Sequence, residues 1–135
     1  MKKIILFLAI GFFAITANAQ KINEAAVPAP LKAAFVKLYP TAAVSSWTKE
    51  PVNNIRAEFV NAGVGTSVLM GPNNNLLETK IEIKASEFPK TAADYCSDKS
   101  ITKSYKITSY TGAVTYQAFG KAEYNFDKDG AVKSK

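Results

Sequence analysis

The sequence predicts an α+β fold, a tandem repeat of one short helix plus a four-stranded antiparallel meander, with both helices on one face of the sheet. Three observations point there. An apolar–proline pair opens an amphipathic helical pattern twice, 61 residues apart. Short alternating apolar/polar segments follow each helix. The turn-forming clusters between those segments are too short for the crossovers that parallel strands need.

Taken in order, the chain of 135 residues opens as a secretory leader. Met1-Lys2-Lys3 is basic, Ile4 to Ile15 is unbroken apolar sequence, and Ala17-Asn18-Ala19 is an A-x-A cleavage site. The apolar run is too short for a membrane anchor, and no later run approaches the required length. Residues 1–19 are therefore expected to be removed, with the cut after Ala19, leaving residues 20–135 as one domain of 116 residues. Gln20-Lys21 follows the cut where a lipoprotein would carry cysteine, so release into the periplasm or beyond is expected, without membrane insertion. Loss of Lys2 and Lys3 changes the formal charge from +6 to +4, with 15 basic against 11 acidic residues.

The first repeat spans about 24–84. Val27-Pro28 leads into a helix through Leu31, Ala34, Phe35 and Leu38, closed by Tyr39-Pro40, because proline suits a first turn and disfavours continuation. Strands are expected over Val44–Lys49, Ile55–Asn61, Thr66–Met70 and Leu76–Ile83. The second repeat, about 85–135, opens on Phe88-Pro89 and a helix through Ala92, Tyr95 and Cys96. Ile101–Thr108, Val114–Phe119, Ala122–Phe126 and a short piece around Ala131–Lys133 follow. Gly63, Gly71-Pro72, Gly112, Gly120 and Asp129-Gly130 lie in the intervening turns. Alternation assigns the faces: Ile55, Ala57 and Phe59 oppose Arg56, Glu58 and Val60, and Leu77, Thr79, Ile81 and Ile83 oppose Glu78, Lys80 and Glu82. Phe35, Phe59 and Ile81 are expected in the core. The outer stripe of Arg56, Glu58, Glu78, Lys80 and Glu82 is expected to face solvent.

These residues resemble a known family. Val27-Pro-x-x-Leu31-x-x-x-Phe35-x-x-x-Tyr39-Pro40, then Val44-x-x-Trp47-x-x-Glu50 and Arg56-Ala57-Glu58-Phe59, are similar to the PepSY-like small secreted proteins of Bacteroidetes. Phe88-Pro89, Asp94-Tyr95, Lys106-Ile107-Thr108, Val114-Thr115-Tyr116 and Phe126-Asp127-x-Asp129-Gly130 look like a second copy. The resemblance implies a β-lactamase-inhibitor-like fold in which the strands of both repeats join into one larger antiparallel sheet. The second copy departs in lacking the Tyr-Pro pair and the tryptophan. The inhibitors that lend the fold its name are disulfide-bonded, which one cysteine cannot reproduce internally, so β-lactamase inhibition is not carried over.

The composition excludes several chemistries. With no histidine and one cysteine, no Ser-His-Asp or Cys-His relay and no His/Cys zinc site can form. Glu78 and Glu82 share a strand face with Lys80 between them, which is the pattern of a solvated sheet. Asp127-Lys128-Asp129-Gly130 matches the start of a calcium loop, but the chain ends before the required twelfth position, so a hairpin turn is the simpler reading. Cofactors and metals are expected to be none, and Cys96 is expected to be a buried helix residue. Lysines are spread evenly, with Arg56 the only arginine, which speaks against nucleic acid.

The expected function is a non-enzymatic periplasmic binding module that contacts a protein or peptide, in the manner of an inhibitor, through its open sheet face. The candidate partner-binding residues are Trp47, Arg56, Glu58, Glu78 and Lys80. Trp47 is singled out because the only tryptophan lies in a polar stretch and tryptophan is enriched at interface hot spots. Its structural alternative is to cover an edge of the sheet. Tyr105, Tyr110 and Tyr116 raise the same question. The alternative function is an envelope structural or stress protein with no specific ligand. An unusual carboxylate enzyme is a third reading, and it would need a deep cleft joining two acids.

Overall fold

The structure, a computed structural model, describes residues 19–134. The expected leader lies outside the described residues except for Ala19. Eight strands form one antiparallel sheet in strict chain order: β1 (Gln20–Ile22), β2 (Val44–Glu50), β3 (Asn54–Asn61), β4 (Val64–Met70), β5 (Leu76–Ile83), β6 (Lys103–Ser109), β7 (Val114–Phe119) and β8 (Glu123–Phe126). Helix α1 (Ala29–Leu38) is inserted between β1 and β2, and α2 (Lys90–Cys96) between β5 and β6. The fold is thus α+β, with every expected strand of four or more residues present. The piece around Ala131–Lys133 is a single bridge, Phe126 to Val132. Strand β1 was not expected: three residues are too few to show an alternating pattern.

Each helix is entered the same way. A 3₁₀ turn (Glu24–Ala26, Ala85–Glu87) leads to an extended apolar residue and then proline, which occupies the N-cap. Proline has no N–H to leave orphaned there. Its carbonyl starts the helical ladder, Pro28 accepting from Lys32 and Pro89 from Ala93. Helix α1 buries Leu31 and Phe35, four residues apart and hence on one face. Helix α2 buries Ala92 and Cys96, as expected for the cysteine. Burial pushes the Cys96 thiol pKa up, only partly offset by Lys99, which disfavours the reactive thiolate.

The apolar sheet face splits into two clusters that share no buried residue. The first joins Leu31 and Phe35 of α1 to Trp47, Ile55, Ala57, Phe59, Val68 and Met70. The second joins Phe88 and α2 to Ala118 and Phe126. Phe35 meets Trp47 and Phe59 edge-on, with ring centroids 5.5 and 5.1 Å apart, the geometry favoured by the aromatic quadrupole. Ile81 is a correction. Its pairing with Thr66 places it on the helix-bearing face, yet it is 39% exposed: the two ends of β5 pack against the clusters, Leu76 on the first and Ile83 on the second, and Ile81 joins neither.

Candidate functional site

The face opposite the helices carries most of the residues singled out from the sequence. Register fixes their neighbours. Across β2 to β6, Thr48, Arg56, Leu69, Glu78 and Ser109 form one lateral row. Ser46, Glu58, Ser67, Lys80 and Ile107 form the next. Glu82, Tyr105, Gln117 and Asn125 continue a third row over β5 to β8. Arg56, Glu58, Glu78 and Lys80 therefore come together on one surface, as the alternation of β3 and β5 required.

Arg56 organises this surface. Its Nε donates to Glu50 Oε1 at 2.5 Å, Nη1 to Ser67 Oγ at 2.8 Å and Nη2 to Glu78 Oε1 at 3.1 Å. One planar fork thereby ties β2, β3, β4 and β5. Burial penalises the guanidinium charge, but the two carboxylates together outweigh it and hold the Arg56 pKa above its ordinary value. Lys80 stands 4.5 Å from the centre of the Tyr105 ring and 5.2 Å from that of Phe119, and it donates to Gln117. Burial, reinforced by the nearby Arg56 charge, lowers its pKa. These two cations are already engaged within the fold.

Between them lies a shallow depression of ≈ 350 Å³ bordered by Arg56, Glu58, Ser67, Lys80, Glu82 and Tyr105. Its floor is small-residue sequence in β4. A Cβ on Gly65 would come within 2.7 Å of Glu82 Oε2, so the missing side chain is what lets that carboxylate lie across the strand. Glu58 and Glu82 have no salt bridge among the described residues. The carboxylates of β5 stand on this open surface and not in a cleft. Among the described residues, no three His, Cys, Asp or Glu side chains are grouped so as to hold a metal ion. Asp127 Oδ1 instead accepts the N–H groups of Asp129 and Ala131 at 2.9 Å each, which is a turn.

Trp47 requires a correction. It is 5% exposed, and its pairing with Ala57 and Ile22 puts it on the helix-covered face, away from Arg56. Its polar neighbours in sequence alternate onto the other face, so the polar stretch described the strand and not the indole. The buried Nε1 makes no hydrogen bond among the described residues. Tyr110 is exposed at 72%, and Tyr116 packs edge-on against Phe88 in the second cluster. Tyr105 does belong to the open face. The contributions of Gly65 and Ser67 were missed, because small residues matter here only by what they leave room for.

The architecture defines an α+β protein with an eight-stranded antiparallel sheet covered on one side by two helices, the form of β-lactamase-inhibitor-like folds. Solved structures share it. A protein of Bacteroides eggerthii, whose name places it provisionally in the periplasm, is 21% identical with a TM-score of 0.66, over 80% of this chain and 86% of that one. A DUF2874 family protein of Bacteroides uniformis is 17% identical with a TM-score of 0.66, over 80% and 87%. A BLIP-like protein of Bacteroides fragilis is 17% identical with a TM-score of 0.54, over 78% and 82%. At these identities the likeness is one of fold. No protein-family model matches the chain, nor does any curated protein. No helix among the described residues is long and apolar enough to cross a membrane.

Proposed function

We propose that the protein is a secreted, non-enzymatic periplasmic binding module that holds a protein or peptide on its open sheet face. The observation that carries this reading is the depression over Gly65 and Ser67. Arg56 and Lys80 are fixed by internal partners, while Glu58 and Glu82 border the same surface without salt bridges among the described residues. A broad, shallow, polar surface with an aromatic at its edge suits a macromolecule better than a small ligand, which prefers an enclosed apolar pocket. The test is capture from envelope extracts with the mature protein and with Glu58→Lys/Glu82→Lys. The expected result is a partner retained by the native face and lost by the variant. Identical recovered sets, or none above control, would remove the reading.

PepSY-like kinship and tandem duplication belong to the same proposal. Support comes from the matched helix entries: Pro28 has φ −55° and ψ 132°, and Pro89 has φ −51° and ψ 143°. Val27 and Phe88 close their 3₁₀ turns with equivalent hydrogen bonds, to Glu24 and Ala85. Each entry follows a strand ending in isoleucine, Ile22 or Ile83.

A further inference from the structure

We propose that the β1 edge of the sheet is a second docking site, separate from the open face, whose occupant is an extended peptide segment alternating apolar and acidic side chains. Such a segment adds as a ninth strand, with main-chain hydrogen bonds giving affinity and side-chain contacts giving specificity. The two edges of the sheet are finished differently. Beyond β8 the chain folds back along its own edge: Phe126 bridges Val132, and the Lys133 N–H donates to the Asn125 carbonyl. At the other end β1 pairs only with β2. Apart from that pairing, Gln20, Lys21 and Ile22 make no backbone hydrogen bond among the described residues. An open edge of this kind is a template for another strand.

Beside this edge lies a hollow of ≈ 490 Å³ walled by Ile22, Pro28, Leu31, Ile55 and Pro72, with Lys49 its one charged lining residue. An apolar lining with a few polar groups at this volume is the make-up of a binding site. The hollow is on the helix-bearing face, since Gln20, Lys49 and Ile55 form one lateral row and all three line it. Lys21 pairs with Thr48 in the next row and takes the opposite face. A strand laid along β1 therefore turns one set of alternate side chains to the hollow and the other set to the side of Lys21.

Charge selects the occupant. Lys21 and Lys49 have no salt bridge among the described residues, whereas Glu24 is paired with Lys32 and Glu50 with Arg56. A second copy of the chain fits poorly. Antiparallel pairing of β1 with itself about Lys21 sets two ammonium groups directly opposite, which is destabilising, and edge lysines guard against that pairing. A strand bearing carboxylates meets the same lysines favourably. At the rim, Val52 adjoins Asn53, which lines the hollow, and is 81% exposed. Its φ of 62° and ψ of 30° lie in the left-handed region that β-branched residues avoid. Strain of this kind clusters at ligand-binding segments, and here it accompanies an apolar side chain exposed where a strand running past Gln20 reaches the β2–β3 turn.

The probe is a blocked hexapeptide alternating valine and glutamate, about 20 Å long when extended. It is titrated calorimetrically into the mature protein, and amide hydrogen exchange locates it. The expected result is saturable binding with new protection along β1. A peptide with lysine in place of glutamate is expected to bind about tenfold more weakly, and Lys21→Glu/Lys49→Glu to reverse that preference. Val52→Asn relieves the left-handed strain, which asparagine tolerates, so it is expected to raise the urea midpoint while weakening the peptide. Absence of saturable binding, equal binding of the two peptides, or a preference unmoved by the charge reversal overturns the proposal. Protection confined to the face of Glu58 and Glu82, or a dimer paired through β1 without peptide, also overturns it. Unchanged affinity in Val52→Asn overturns the part assigned to Val52.

Discussion

Tyr105 shows how one side chain on the open face couples to pH. Burial raises its phenol pKa, and Lys103 only partly opposes this. A raised folded-state value means that the stabilising contribution is complete below the unfolded value of about 10 and is lost as pH rises through the folded one. Lys80, lowered by burial, acts in the opposite sense as it discharges. Tyr105→Phe keeps the ring against Phe119 and removes only the titration. The expected outcome is a urea midpoint that falls less between about pH 9 and about pH 11 than in the native protein. An unchanged slope would show that the phenol does not titrate differently on folding. At this scale the sequence was informative for Arg56, Glu58, Glu78 and Lys80, whose strand parity sets their face. It misled for Trp47, whose polar neighbours take the opposite face, and for Ile81, because parity says which face a residue takes and not whether a helix covers it there.

Among the elements, the helices depend most on their surroundings. Ten and seven residues are too few for a stable isolated helix in water, so packing onto the sheet must supply the difference. The last turn, after β8, shows how tightly this is arranged. Gly130 has φ +87°, and a Cβ there would lie 2.8 Å from the backbone N of Ala92 in α2. Gly130→Ala is therefore expected to cost more than about 1 kcal/mol, from the left-handed backbone alone and then from displacing α2. Gly65→Ala meets only the mobile end of Glu82 and should leave stability nearly unchanged. Paired denaturation curves check both, and equal losses would contradict this account. The strands were legible from alternation and turn residues. Strand β1 and the 3₁₀ entries were not, since three-residue elements exist only through the partners they meet.

For the whole molecule, the decisive feature is two apolar clusters under one continuous sheet. Phe35→Ala and Phe88→Ala each remove a buried ring and are expected to cost about 3–5 kcal/mol. Because the clusters share no buried residue, the double variant should lose close to the sum of the two, as distant sites do. A large shortfall or excess in equilibrium denaturation would mean that the sheet transmits repacking from one cluster to the other. The amino-acid sequence by itself determined the secretory character expected of the first 19 residues, the exclusion of imidazole chemistry, the strand limits to within a few residues and the parity of each strand. These follow from local periodicity and residue inventory, which need no knowledge of neighbours. Only the tertiary structure decided that Trp47 is core, that Ile81 is left uncovered between the helices, and that Arg56 binds four strands around a glycine-floored depression. Each of those depends on register between strands distant in the chain, and register is set by packing that no single segment encodes.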